Sequence, residues 1–340
     1  MKKTVLLFGG SSEERLVSVA SAQNLVRQYT FDEVWYLSES GEIYRIQSNA
    51  LLEHQKPFEV PFKPSGSRWA KSLQEAKSQL RDRLIFIGLH GTEGEDGKIQ
   101  SYFEQEGVSF TGSGAAASQL CFNKSLSKHK LKPTGIKVND ELLVTVSKAQ
   151  AQLPELKAFL DKYQKLVFKP LANGSSVGLR FVNDYSHLNE VVHEISKLKL
   201  GDYLVEPFVL GREMTVAVIQ EKGELRALVP SEVVLEKGRS FDYEGKYLGK
   251  GTVEITPAQV TSEEKKLLQD AAVLAHRSLG CFGYSRTDFI LVSGQAFYLE
   301  TNTLPGLTKA SFVPQQLEAE KISFSGFIQN QMELAEHRNE

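Results

Sequence analysis

The chain has 340 residues, of which 41% are hydrophobic and 24% are charged, and its formal net charge is −2. This balance is typical of a soluble globular protein of two or three domains at about 150 residues each, and the near-neutral charge argues against a nucleic-acid partner. The two cysteines, Cys121 and Cys281, lie far apart and form no CxxC pair, which argues against a disulfide framework or a zinc cluster and favours a reducing cytoplasm.

The first apolar run covers residues 4–8. It is shorter than the core of a signal peptide, which needs about 7–15 apolar residues, so it predicts a buried strand. The turn at 9–12 then opens a helix that is predicted to run to about Val26, with Ser11 and Glu14 at the spacing of a capping box. No apolar run approaches membrane-spanning length, so we expect no membrane contact.

A second apolar strand is predicted over residues 84–89, and it leads into the motif His-Gly-Thr-Glu-Gly-Glu-Asp-Gly at 90–97. Strands that alternate with helices up to about residue 113 predict an open α/β sheet. Residues 45–80 are polar with little periodicity and give no prediction.

After residue 113 the pattern changes to mixed α+β. The predicted elements are a helix at about 115–131, strands at about 141–146 and 165–169, a helix at about 186–198, strands over 203–209 and 213–220, and a helix that a Thr261–Glu264 capping box opens and Gly280 ends.

A loop rich in small residues covers residues 167–178, Val-Phe-Lys-Pro-Leu-Ala-Asn-Gly-Ser-Ser-Val-Gly. Its backbone N–H groups and hydroxyls can surround a phosphate while Lys169 neutralises charge. It lacks the Gly-Lys-Ser/Thr of a Walker A motif, and a plain Asn-Gly hairpin turn explains the loop equally well.

Two charged side chains flank this loop in the sequence. Lys124 lies on a predicted helix, where an exposed lysine is the default. Glu206 lies inside an apolar strand, and an unpaired buried carboxylate would cost several kcal/mol. It therefore needs a partner, either an adenine amino group or a structural arginine.

Apolar runs on both sides of Gly294 predict a β-hairpin near the end of the chain. If its loop has an odd number of residues centred on Gly294, Asp288 lies opposite Glu300 and Arg286 lies opposite Asn302. All four side chains then share one face. A loop with an even number of residues would turn Asp288 away.

Two carboxylates and an amide oxygen on one face are typical ligands of Mg²⁺, which binds one or two carboxylates together with substrate phosphates. The residues are Asp288, Glu300 and Asn302. The alternative is a solvated hairpin face with a salt bridge from Arg286. The sequence Thr-Leu-Pro-Gly that follows favours a site, because it stops the strand beside the carboxylates and leaves backbone N–H groups there.

Together these motifs resemble the ATP-grasp fold and, more narrowly, the D-alanine–D-alanine ligase family. Gly-Gly-Ser-Ser-Glu-Glu-Arg-Leu-Val-Ser, the 90–97 motif, Phe-Asp-Tyr-Glu-Gly-Lys-Tyr at 241–247 and Asn-Thr-Leu-Pro-Gly-Leu-Thr at 302–308 are similar to that family's motifs in order. The resemblance covers residues 4 to about 330. It implies a three-domain ATP-grasp architecture: an N-terminal open α/β domain (1–113), a central subdomain (114–205) and a C-terminal catalytic subdomain (206–340).

The resemblance also implies a two-step reaction. The γ-phosphate of ATP passes to the carboxylate of the first D-alanine, and the amine of the second D-alanine attacks the acyl phosphate. The expected cofactors are two Mg²⁺ ions, with Mn²⁺ as an alternative, and the expected oligomer is a homodimer. The resemblance also implies a cytoplasmic enzyme that takes part in the synthesis of peptidoglycan precursors.

The implied site residues fall into groups. Nucleotide binding is assigned to Lys124, Lys169, Ser176, Glu206, Val209, Glu213 and Lys246. Metal binding is assigned to Asp288, Glu300 and Asn302, and catalysis to Glu14, Ser175, Tyr247, Arg286 and Gly306. His90 and Ser311 are assigned to the second substrate. His90 is also a candidate general base, although a lone histidine in a glycine-rich turn is more often structural.

Three alternatives stay open. A related ligase could act on other amino acids, because loop shape sets the substrate, although tyrosine at 247 favours an amine over D-lactate as nucleophile. A non-catalytic nucleotide-binding regulator is a second alternative. A dehydrogenase is disfavoured because the opening Gly9-Gly10 lacks the third glycine of a dinucleotide fingerprint. The family usually has aspartate where this chain has Asn123.

Overall fold

The computed structural model describes residues 2–65, 67–171, 178–198, 201–235 and 252–338. The strands are β1 Lys3–Gly9, β2 Glu33–Leu37, β3 Ile43–Ile46, β4 Arg68–Ala70, β5 Arg83–Ile87, β6 Ser109–Phe110, β7 Leu142–Val144, β8 Leu166–Pro170, β9 Arg180–Val182, β10 Tyr203–Pro207, β11 Arg212–Glu221, β12 Glu224–Ala227, β13 Ser231–Leu235, β14 Thr252–Ile255, β15 Tyr284–Val292 and β16 Gln295–Asn302. The α-helices are α1 Arg15–Gln28, α2 Ser48–Leu52, α3 Lys77–Leu80, α4 Lys98–Glu106, α5 Ala115–Phe122, α6 Lys124–Leu131, α7 Leu153–Tyr163, α8 Tyr185–Ile195, α9 Ser262–Ser278, α10 Phe312–Ala319 and α11 Phe324–Glu336.

The first sheet has the strand order β4-β3-β2-β1-β5-β6. Strand β1 pairs in parallel with β2 and β5, and its Val5, Leu6, Leu7 and Phe8 are fully buried. The predicted open α/β sheet is confirmed. Part of the segment that gave no prediction, 45–80, forms α2, α3 and the edge strand β4, which runs antiparallel to β3.

The second sheet, β7-β10-β8-β9, is antiparallel and has a hydrophobic core of its own with α7 and α8. Its strands lie in 142–207. The predicted domain boundary at 205/206 therefore lies inside β10, and the division into domains stays a prediction.

The third sheet, β14-β13-β11-β15-β16, separates two cores. Side chains of β11 alternate between them, because neighbouring residues of a strand point to opposite faces. Val216 and Val218 pack with α9, whereas Ala217 and Ile219 join the core of the first sheet, to which α10 and α11 also contribute. The first and third sheets thus share one core, and the polar edge between them forms a cleft.

Of the two helix starts predicted from capping boxes, one differs from the structure and one agrees with it. Helix α1 begins at Arg15, and the Ser11–Glu14 capping box does not form: the side chain of the N-cap residue Glu14 makes no capping hydrogen bond, and its backbone N–H donates to Ser12 Oγ at 3.0 Å. The capping box at the start of α9, Thr261 with Glu264, is confirmed.

The helix predicted over 115–131 is two helices. The chain breaks at Asn123, which has an extended backbone (φ −95°, ψ 105°) and caps α6 by accepting the Leu126 N–H at 3.1 Å. An asparagine serves this purpose as well as an aspartate. The break places Lys124 at the first position of α6. Among the described residues, no helix is long and apolar enough to cross a membrane.

Candidate active site

The hairpin of β15 and β16 has a two-residue turn, the even count, not the odd one on which the predicted opposition of Asp288 and Glu300 depended. Ser293 and Gly294 have φ of 48° and 73°, the left-handed backbone of a primed hairpin turn, and Val292 pairs with Gln295. With this turn alone, Asp288 would lie on the wrong face.

A β-bulge restores the predicted register. The pairing shifts between Asp288 and Phe289, and Leu299 is the extra residue on β16, so Asp288 lies opposite Glu300 and Arg286 opposite Asn302. Bulges of this kind commonly redirect side chains beside active sites. The prediction that these residues oppose each other is confirmed, although its reason was wrong.

Asp288 is held by two neighbours. Arg286 donates from Nε to Oδ1 at 2.9 Å and from Nη2 to Oδ2 at 2.8 Å, and Thr215 Oγ1 on β11 donates to Oδ1 at 2.5 Å. The salt bridge considered as the alternative to a metal site is therefore present, together with the carboxylate pair. It fixes the plane of the guanidinium beside Glu300.

Glu300 is paired with a lysine from a different part of the chain. Its Oε2 lies 3.2 Å from Lys124 Nζ, and the Lys124 side chain is only 12% exposed. The default of an exposed lysine is wrong here. Because α6 starts at Lys124, its ammonium reaches the hairpin face.

The buried Glu206 carboxylate has two lysine partners and no arginine among the described residues. Lys169 Nζ lies 2.8 Å from Oε2, and Lys128 on α6 contacts Oε1. Burial lowers the pKa of Lys169 to about 8 and also lowers that of Lys128. Sequence reasoning missed Lys128, four residues after Lys124 and hence on the same helix face.

His90 connects two parts of the fold. Its Nδ1 donates to the Leu304 carbonyl at 3.0 Å, and its Nε2 accepts from Ser21 Oγ at 2.9 Å. Burial lowers the pKa of His90, so the ring is neutral. Since both ring nitrogens are engaged, the geometry disfavours His90 as a general base.

The loop after β16 lies close to the start of α10. A Cβ at Gly306 would lie 2.7 Å from Ser311 Oγ, so a larger residue at this position would displace the Ser311 hydroxyl. Ser311 Oγ lies 2.8 Å from Thr308 Oγ1 and accepts the Thr308 N–H at 3.2 Å.

One cleft brings most of the predicted site residues together. It is lined by Glu14, His90, Lys124, Glu213, Arg286, Asp288, Glu300, Asn302, Gly306 and Ser311. Lys169 and Glu206 are not among the described residues that line it. They pair with each other, and Glu206 also pairs with Lys128 of α6, the helix that carries Lys124. Val209 follows the end of β10. Ser175, Ser176, Lys246 and Tyr247 lie outside the described residues.

The donor set suits a hard cation. Two carboxylates and an amide lie on one face of the hairpin, and their oxygens are ligands of the kind that hard cations prefer. No three His, Cys, Asp or Glu side chains in the described part of the chain cluster as a complete metal site. The set fits Mg²⁺, which takes few protein ligands and completes its shell with phosphates and water.

Cys121 also lines this cleft. Its Sγ lies 3.8 Å from Cys281 Sγ, so the two cysteines, far apart in the sequence, are neighbours in the fold, and both thiols are free.

Comparisons with known proteins agree with this geometry. The sequence models described as D-ala D-ala ligase N-terminus and C-terminus match residues 3–113 and 131–333. A D-alanine–D-alanine ligase from Leptospira interrogans is 32% identical over 357 aligned positions, which cover 100% of this chain and 99% of the relative.

Solved structures give the same result. The VanG D-Ala:D-Ser ligase from Enterococcus faecalis has a TM-score of 0.84 at 29% identity, with 98% of this chain and 99% of that chain covered. The D-alanine–D-alanine ligase from Coxiella burnetii has a TM-score of 0.80 at 26% identity, with 99% and 95% covered. Because the family models and these relatives span nearly the whole chain, the protein belongs to the D-alanine–D-alanine ligase family and has its ATP-grasp fold.

Proposed function

We propose that this protein is an ATP-dependent ligase that joins two D-alanines into D-alanyl-D-alanine for peptidoglycan synthesis. The observation that carries the proposal is the hairpin face, where the bulge places Asp288 opposite Glu300 beside Arg286. An oxygen donor set and a fixed guanidinium in one cleft match a reaction in which a carboxylate must meet a phosphate.

Lysines and carboxylates of the site would bind the nucleotide. Lys124 and Lys169 would neutralise the phosphate tail, and Glu206, which β10 buries between Lys128 and Lys169, would accept from the adenine amino group. Glu213, on β11 in the cleft, would take the ribose. The backbone near Val209 would meet the ring edge, and Ser176 and Lys246 would contact phosphates.

Asp288, Glu300 and Asn302 would hold two Mg²⁺ ions, or Mn²⁺, which shares the preference for oxygen ligands. When bound, such ions offset the repulsion between a phosphate chain and the attacking carboxylate. The protein's own part is to hold the ligands in register through the bulge and through Thr215.

The remaining groups would handle the amino acids. Glu14, at the start of α1, would bind the first ammonium, and Ser311 the second carboxylate. Arg286 and the Gly306 N–H would stabilise the tetrahedral oxyanion, a contribution typically worth about 10²–10³ in rate. Ser175 and Tyr247 would close the site against water.

We also propose that the protein acts in the cytoplasm as a homodimer, on the basis of its family resemblance. Light scattering of the purified chain would give twice the monomer mass if the dimer proposal is correct.

Phosphate release with ATP and Mg²⁺ tests the activity, with D-alanine, D-serine, D-lactate and L-alanine offered singly and in pairs. We expect D-alanine alone to give phosphate and dipeptide in equal amounts by mass spectrometry. Phosphate release only with other amino acids would replace the proposed substrate, and no release with any of them would favour the nucleotide-binding regulator.

A second candidate product is D-alanyl-D-serine. It is supported by the similarity to VanG, whose name describes a D-Ala:D-Ser ligase, at a TM-score of 0.84. A preference for D-serine over D-alanine as second substrate in the same assay would favour it.

A further inference from the structure

The proposed reaction needs a base, a role that has been given to none of the residues above. An amino acid at neutral pH carries an ammonium group, which cannot attack an acyl phosphate until it loses a proton. His90 is the candidate that the sequence offered, but Leu304 and Ser21 engage both of its ring nitrogens. Among the described residues that line the cleft, another group can accept this proton.

Glu95 is a cleft carboxylate to which no role has been assigned. It belongs to the 90–97 motif, lines the cleft, and its side chain is 13% exposed. Oε1 accepts the Gly91 N–H at 2.9 Å and lies 4.0 Å from His90 Nδ1. This hydrogen bond fixes the carboxyl group at the cleft wall.

The surroundings make Glu95 a stronger base than an ordinary carboxylate. Burial, and next the charge of Glu14, raise the pKa of Glu95 to about 8, against smaller opposing effects of the Gly91 N–H and Arg286. The titratable or charged groups that face it from the packed elements are Glu14, His90, Cys121, Tyr284, Arg286 and Glu300. A bound ammonium would favour the ionised carboxylate, since an opposite charge nearby lowers a carboxyl pKa.

We propose that Glu95 is the general base that accepts the proton from the ammonium of the second amino acid. This inference rests on the proposed function. One N–H bond breaks and its proton passes to a Glu95 carboxylate oxygen. The nitrogen lone pair then forms the bond to the acyl carbon, and the C–O bond to phosphate breaks as phosphate leaves with its electron pair.

Hydroxylamine provides a direct test, because it is largely unprotonated at neutral pH and attacks acyl phosphates without a base. We expect Glu95→Gln to slow dipeptide formation by about 10²-fold or more. With D-alanine, ATP, Mg²⁺ and hydroxylamine, the same variant should form D-alanine hydroxamate at close to the wild-type rate. The rise of wild-type kcat/KM for the second substrate with pH should be absent in the variant, and Glu95→Asp should retain it at a lower rate.

The matched control is Glu93→Gln, the same change in the same loop at a carboxylate that accepts the Ser11 N–H. It should leave both products at wild-type rates. Loss of both products in Glu95→Gln, or of neither, would overturn the role of Glu95 as base. Wild-type protein that forms neither product would instead refute the proposed function.

Discussion

Two buried carboxylates of this protein are neutralised in different ways. Asp288 pairs with Arg286, two residues earlier on the same strand, whereas Glu206 on β10 pairs with Lys128 of α6 and Lys169 of β8. The first arrangement is local, so it can be foreseen from strand periodicity. The second depends on how separate elements pack, so it becomes visible only in the fold.

The largest effect is expected at the hairpin. Glu300→Gln keeps the shape of the side chain but removes the charge that faces Lys124 and the cation site. We expect turnover to fall by at least about 10²-fold, because the loss of a residue that only hydrogen-bonds to a metal ligand already lowers metal affinity or activity by about 10–100-fold. Glu224→Gln, an exposed position on the same sheet, should retain activity. Normal kcat in Glu300→Gln would remove the metal hypothesis.

The substitution Lys128→Met tests the pairing of Glu206 with lysines from other elements of the fold. Both Lys128 and Glu206 are 1% exposed, and we expect the free energy of unfolding to fall by about 3 kcal/mol because a buried carboxylate loses one partner. Adding Glu206→Gln should restore most of the loss, and Lys130→Met, on the exposed side of α6, should cost little. Urea denaturation measures the stability of all three variants. An unchanged midpoint for Lys128→Met would show that the ion pair with Lys128 does not offset the cost of burying the Glu206 carboxylate.

Glu95 is a third cleft carboxylate, and its hydrogen-bond donor, the Gly91 N–H, lies in the same loop. Its pKa in the folded protein, about 8, exceeds its ordinary value of 4.5, so the folded state holds an extra proton between these values and stability must fall as pH rises through that window. Between pH 5 and pH 9, the free energy of unfolding of the wild type should fall by about a few kcal/mol more than that of Glu95→Gln. Parallel stability curves for the two proteins would contradict the raised pKa.

The smallest effect is expected from Thr215→Val, which removes the hydroxyl that bonds Asp288. We expect a loss of about 1 kcal/mol of stability and about tenfold weaker Mg²⁺ binding. Thr287→Val removes the contact to Thr301 Oγ1 on the opposite face of β15. It should lower the stability but leave Mg²⁺ binding unchanged. Equal Mg²⁺ affinity in both variants would show that Thr215 does not position the ligand.

The sequence predicted several local features. The alternation of strands and helices predicted the first sheet, and residue spacing predicted the capping box at Thr261. The opposition of Asp288 and Glu300 was also predicted, but from an odd loop that the hairpin does not have. The bulge at Leu299 could not be foreseen, because nothing in an apolar run marks which residue leaves the ladder.

Features that depend on several elements were beyond the sequence. Asn123 divides a predicted helix because its side chain caps the second half. The lysine partners of Glu206 and the hydrogen bonds of His90 come from elements distant in sequence. Residues 45–80 lacked periodicity because their elements α2, β4 and α3 are too short to show one.

The central claim is that the hairpin carboxylates bind the cation that carries the nucleotide tail. Electron paramagnetic resonance of Mn²⁺, titrated with ADP, measures this directly in the wild type, Glu300→Gln and Glu224→Gln. The account predicts that ADP increases the fraction of bound Mn²⁺ in the wild type and in Glu224→Gln but much less in Glu300→Gln. Equal binding in all three proteins would place the cation elsewhere and contradict the account.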